Sequence, residues 1–196
     1  MANRLTYNNL SSKKGATGTF LTASHVVMES TSNQRTGIRY YILSVANGSA
    51  SVVVNSGGSG PPDLQDPNGV LFTFMPSAAL DKKGNLGFTY TTSGAYCSSC
   101  HPVAHPALHF DVLPWAASNF APPTLIIQGR GDEENTPHWG EYAATVVDST
   151  TDGMFYGVGE YFNTSQAGTT NCNLPSSNCF TWQNRIFRLR YRAASN

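Results

Sequence analysis

A chain of 196 residues and 21.1 kDa is long enough to bury a core without disulfides or metals holding it together. Twelve basic and twelve acidic residues cancel, and charged residues make up only 12% of the chain, against about 25% in ordinary soluble domains. This excludes an electrostatic nucleic-acid binder and a polybasic membrane anchor, while 11% aromatics with 18 glycines and 11 prolines exclude disorder and collagen-like order and describe a turn-rich β protein.

The opening residues Met1-Ala2-Asn3-Arg4 lack the apolar run of a signal peptide, and no window approaches the roughly 18 consecutive apolar residues of a membrane helix. The chain therefore reads as soluble, with no membrane insertion; any export leader was removed or lies upstream. Alternation then predicts strands over 4–8 and 19–27 around a Ser-Ser-Lys-Lys-Gly turn, a third over 37–43 and a fourth over 51–55. A second unit follows the same order, with strands over 77–81, 86–90, 107–113 and 124–128 and a polar turn Lys82-Lys83-Gly84-Asn85 after Asp81. In a third, strands over 142–148, 154–158 and 185–191 surround a turn through Asp152-Gly153, and the fourth strand is missing.

The third strand of each unit is an aromatic-rich alternating stretch, and Ile38, Leu108 and Ile186 occupy equivalent places in it. Pro, Gly, Thr and Ser interrupt every window that could hold a helix. Eleven strands in three antiparallel meanders predict an all-β fold of three β-propeller blades, 1–60, 61–131 and 132–196, the last without its outer strand. A β-sandwich is the alternative. Asp81 and Asp148 each precede a tight hairpin, where the carboxylate takes the backbone N–H groups of the turn and Gly84 or Gly153 supplies the positive φ.

The run His138-Trp139-Gly140-Glu141-Tyr142, continuing through Asp148 to Gly159-Glu160-Tyr161-Phe162, resembles a segment of the secreted bacterial propellers of the sialidase superfamily. Gly37-Ile38-Arg39-Tyr40-Tyr41, the hairpin over 77–90 and Trp182-Gln183-Asn184-Arg185-Ile186 are similar to the same pattern. The family has Arg and Asp where this chain has His138 and Glu141, and its Asp-box differs from the spacing after Asp81 and Asp148. The resemblance implies secretion into an oxidising compartment and a ligand site where the first strand of each blade opens on a central channel. Asn3-Arg4, Phe74-Met75-Pro76-Ser77 and His138 to Tyr142 hold that station here.

Trp139 and Tyr142 offer flat faces to a sugar ring, Glu141 a carboxylate and His138 a donor or acceptor. Glu160 and Tyr161 bring a second carboxylate and phenol near the same blade, and Arg4 is the arginine nearest the channel. Glycosidases need two carboxylates flanking the scissile bond, or, as the resemblance implies, a Tyr nucleophile with a carboxylate partner and an arginine cluster. Glu141, Glu160 and Tyr142 are thus the catalytic candidates, and Trp139, His138, Arg4 and Tyr161 the ligand-binding ones. The other reading of the turn around Trp139 is structural, with Trp139 between blades and Glu141 on backbone N–H groups.

Cys97-Ser98-Ser99-Cys100-His101 matches the c-type haem attachment motif, with His105 and His109 following at four-residue steps. A Cys/His metal site, a local disulfide or free thiols are the other readings. Cys172 and Cys179 read as a loop disulfide before Trp182. Three functions remain open: a propeller segment recognising carbohydrate or a surface polymer, a glycoside hydrolase using Glu141 and Glu160, and a haem electron-transfer module. Three blades do not close a ring, so the partners expected are a second copy of the chain or the missing half of a longer propeller, besides the carbohydrate or polymer.

Overall fold

The computed structural model describes residues 4–11, 17–29, 35–66, 71–94, 105–115, 117–130, 143–162 and 182–192. Strands β1 (Arg4–Ser11), β2 (Thr17–Met28), β3 (Thr36–Ala46) and β4 (Ser49–Asn55) pair in chain order as one antiparallel sheet, sheet A. Strands β5 (Leu71–Leu80), β6 (Leu86–Gly94), β7 (Ala107–Leu113) and β8 (Thr124–Ile127) repeat this as sheet B. Sheet C holds β9 (Ala144–Val147), β10 (Met154–Phe162) and β11 (Trp182–Arg190). The fold is all-β, with no helix among the described residues, and the grouping of four, four and three strands is the one the alternation predicts.

Short hairpins fix the registers. Asn47 and Gly48 both have positive φ, 52° and 77°, as the tight turn between β3 and β4 demands. Asp81 Oδ1 accepts the N–H groups of Lys83 and Asn85, both at 2.8 Å, and Asp148 Oδ1 accepts those of Thr150 and Thr151 at 2.7 and 3.2 Å. Both aspartates therefore have the turn-holding role expected of them. One boundary differs from expectation: β5 begins at Leu71 rather than at 77 and passes through a bulge between Phe74 and Ser77, where Met75 takes φ 50°. Pro76 has no N–H to give the ladder, and the bulge absorbs the missing bond so that the strand continues.

Sheet B lies between the other two, and β6 is buried on both faces as a result. Phe88 meets Tyr40 of sheet A edge to face with ring centroids 5.2 Å apart, and Leu86 and Tyr90 join the same apolar cluster as Phe20, Ile38 and Ile42. The alternate residues turn toward sheet C, where Phe110 packs on Phe155 and Phe187. A Cβ at Gly87 would stand 2.6 Å from the Phe155 ring, so the close approach of the two sheets requires glycine there.

The innermost contacts are polar. Thr36 and Thr73 exchange bonds of 2.9, 3.0 and 3.1 Å between sheets A and B, and Ser77, Thr89 and Thr145 form the corresponding link between B and C. On its two sides β5 is approached by β1, β2 and β3 and by β9.

All three meanders point the same way. Thr22 bonds to Ala78 and Thr36 to Thr73, and Met28 is the register partner of Thr36, so β2 runs against β5 and along β6. Leu108, whose partner is Thr91, touches Gly159, while Thr89 touches Gly157 and Gly87 faces Phe155, so β6 runs along β10. The strand ends flanking every β2–β3-type connection and both sheet-to-sheet connections therefore lie at one edge of the molecule, called the rim below; the tight hairpins and the ten-residue β7–β8 connection occupy the other edge.

Candidate functional site

At the rim of sheet A, the end of β2, the start of β3 and the segment after β4 bring together Glu29, Arg39, Ser56 and Asp63. Arg39 donates from Nη2 to Asp63 Oδ2 at 2.8 Å and from Nε to the same oxygen at 3.2 Å. Ser56 donates its hydroxyl to Asp63 Oδ1 and accepts the Tyr40 N–H at 2.8 Å. Burial pushes the Asp63 carboxyl up, but the bonds from Arg39 and Ser56 outweigh it and hold the group below the ordinary carboxylate range. Glu29 moves the opposite way, raised by burial and then by its neighbour Asp63. Its Oε1 is buried without a hydrogen-bond partner. One carboxyl held ionised by an arginine, beside one biased toward its acid form, was not visible to sequence reasoning; Arg39 and Asp63 lie on separate elements, and local periodicity carries no trace of their pairing.

A second buried polar group lies between sheets A and B. Tyr90 donates its hydroxyl to Asp111 Oδ2 at 3.0 Å, and burial pushes the Asp111 carboxyl up to about 6. His109 stacks on Tyr90 with centroids 5.5 Å apart, and burial lowers its pKa. Asp111 Oδ1 and His109 Nδ1 have no hydrogen-bond partner. His109, read from the sequence as a neighbour of the haem motif, is therefore a component of this inter-sheet layer.

Further out, where sheets A and B diverge, a pocket of about 440 Å³ opens between Val53 and Val54 of β4, Pro61, Leu113, Pro114 and Trp115. Trp115 is fixed on two sides. Its N–H donates to Asn85 Oδ1 at 3.1 Å, and its indole covers Gly84 so closely that a Cβ there would stand 2.5 Å from the ring. The turn built on Asp81 thus carries an aromatic wall; the Pro-Trp dipeptide after β7 was its only sequence signal.

Of the residues singled out from the sequence, Arg4 heads β1 opposite Ser24. Glu160 and Tyr161 are neighbours on β10, partnered in register by Asn184 and Gln183. Tyr161 donates its hydroxyl to Gln183 Oε1 at 2.6 Å. Adjacent strand residues point to opposite faces, so Glu160 and Tyr161 do not present their side chains to one face of sheet C. His138, Trp139, Glu141, Tyr142, Cys97, Cys100, His101, Cys172 and Cys179 lie outside the described residues. In chain order they fall in the connections β8–β9, β6–β7 and β10–β11, whose flanking strand ends are all at the rim. No helix among the described residues is long and apolar enough to cross a membrane. The chain matches no family model, no curated protein and no solved structure.

Proposed function

We propose that the chain is part of an exported, sialidase-like β-propeller that recognises carbohydrate or a surface polymer across the rim from which its long connections leave. The observation that carries this reading is the common direction of the three meanders, which brings to one edge the strand ends flanking the β2–β3, β6–β7 and β10–β11 connections and both sheet-to-sheet connections, while the other edge carries the shorter hairpins and the ten-residue β7–β8 connection. Radially repeated meanders with inner strands in contact and outer strands apart are what blades require, and connections held on such a scaffold are where binding residues concentrate. The close approaches to β5 and the pocket opening between β4 and the β7–β8 connection support that wedge arrangement.

Glu160 and Tyr161 face opposite ways on β10, so this pair does not assemble a carboxylate-supported tyrosine nucleophile; hydrolysis by Glu141 and Glu160 is the second reading. An array of polysaccharides and glycans tests the reading. Wild type is expected to retain at least one saccharide or polymer class, and Trp139→Ala to weaken that binding tenfold or more. Retention of none would end the reading. Turnover of the bound ligand, abolished by Glu141→Gln, would replace recognition with glycoside hydrolysis.

A further inference from the structure

We propose that the outer face of sheet C docks on the outer face of sheet A of a second copy, so that two chains close into one ring of six sheets. This rests on reading the sheets as blades and is independent of what the rim binds. The argument starts from one repeat position. Ile38, Leu108 and Ile186 stand at the same place on β3, β7 and β11, with register partners Val26, Thr91 and Val158. Ile38 and Leu108 are both 0% exposed, the first beneath sheet B and the second against Gly159 of sheet C, whereas Ile186 is 75% exposed. Val146 and Tyr156 stand open on the same face of sheet C, at 52% and 36%. The third sheet thus presents the face that its two predecessors cover.

The cover can be described from the two interfaces already made. In each, a ring on one sheet meets a ring on the next: Tyr40 on Phe88, and Phe110 on Phe155. The position equivalent to Tyr40 and Phe110 is Arg188 in sheet C. The position equivalent to Phe88 and Phe155 is Ala23 in sheet A, whose register partner is Tyr41. A long cation therefore stands where the other sheets have a ring, and the matching place on sheet A is small and bordered by a phenol. Tyr41 stacks one ring face on His25, with centroids 5.8 Å apart, so an Arg188 lying over Ala23 would take the other; the two residues depart from the repeat in the complementary directions that this requires. Half-buried Leu21 and Leu43 extend the apolar surface on sheet A. Contacts of this head-to-tail kind either close or grow into a filament, and six blades lie within the range of about four to eight at which propellers close.

Sedimentation velocity on the full chain tests this. Wild type is expected to sediment as two copies of the 21.1 kDa chain, and Ile186→Asp and Tyr41→Lys each as one copy with an unchanged β-sheet circular dichroism spectrum. Mixing the two variants restores a two-copy species, because sheet C of the Tyr41→Lys chain still fits sheet A of the Ile186→Asp chain. Arg188→Glu, at an exposed position, dissociates the pair in the same way and keeps the test informative should either of the others fail to fold. A monodisperse single copy of wild type, a pair untouched by these variants, a species larger than two copies, or variants that are each single and remain so when mixed would overturn the proposal. A two-copy ring that binds no polymer would leave it standing and remove the reading of the rim.

Discussion

Thr145 and Ser77 exchange two hydrogen bonds across the junction of sheets B and C: the Thr145 N–H donates to Ser77 Oγ and its hydroxyl to the Ser77 carbonyl, both at 2.8 Å. The Thr145 hydroxyl oxygen also accepts the Thr89 N–H at 3.1 Å. Thr145 is 3% exposed, so water does not replace these bonds when they are lost. Thr145→Val keeps the shape and strands two buried backbone groups, each costing about 1–3 kcal/mol. Chemical denaturation is expected to show a loss of about 2 kcal/mol or more with an unchanged m-value; a loss below about 0.5 kcal/mol would mean the sheets are not joined there.

Asp111 gives the fold an acid-side bonus. Its folded pKa is raised to about 6, so the folded state holds a proton that the unfolded chain releases near its ordinary value of 3.8. The contribution is fully present below that ordinary value and is lost as pH rises toward and through 6. Asp111→Asn, which removes the ionisation but can still accept the Tyr90 bond, is expected to exceed wild type by about 2–3 kcal/mol at pH 7.5 and to match it near pH 4. Parallel stability curves for the two proteins would contradict the assignment.

Asp63 has the opposite slope. Its pKa is lowered, so its stabilisation is present above the ordinary carboxylate value and fades as pH falls through the lowered one. Asp63→Asn should lose about 2 kcal/mol at pH 7, at the low end for a buried pair because Arg39 keeps a third of its exposure. The deficit should shrink on acidification. Thermal melts from pH 7 down to pH 3 check this, and a deficit constant with pH would show that packing, and not charge, is what Asp63 supplies.

Gly84 combines φ 85° with the Trp115 indole against its α-carbon. Gly84→Ala adds a left-handed residue, costing about 1–2 kcal/mol, and also displaces the ring. The expected result is a loss of about 2 kcal/mol together with a red-shifted tryptophan emission. An unshifted spectrum would mean that the ring does not rest on the turn.

The strands were legible because alternation and turn chemistry are local. Asp81 and Asp148 declare their hairpins within a few residues, and the repeat of Ile38, Leu108 and Ile186 orders the three third strands. The bulge at Met75-Pro76 reads from the sequence as the approach to a strand, since proline argues against a strand unless a bulge is foreseen. The Arg39–Asp63 pair, the Tyr90–Asp111–His109 layer and the seat of Trp115 join residues whose meeting depends on how the sheets stack. Nothing in the local pattern distinguishes His109 under Tyr90 from a histidine on an open strand.

Hydrogen–deuterium exchange in the presence of a polysaccharide that the array identifies tests the central claim most directly. The account predicts ligand-dependent protection in the peptide spanning 128–143, whose flanking strand ends are at the rim, and none in those spanning 81–85 and 114–121 at the hairpin edge. Protection confined to the peptides around Gly84 and Trp115 would contradict it, by placing the polymer in the pocket between sheets A and B and not across the rim.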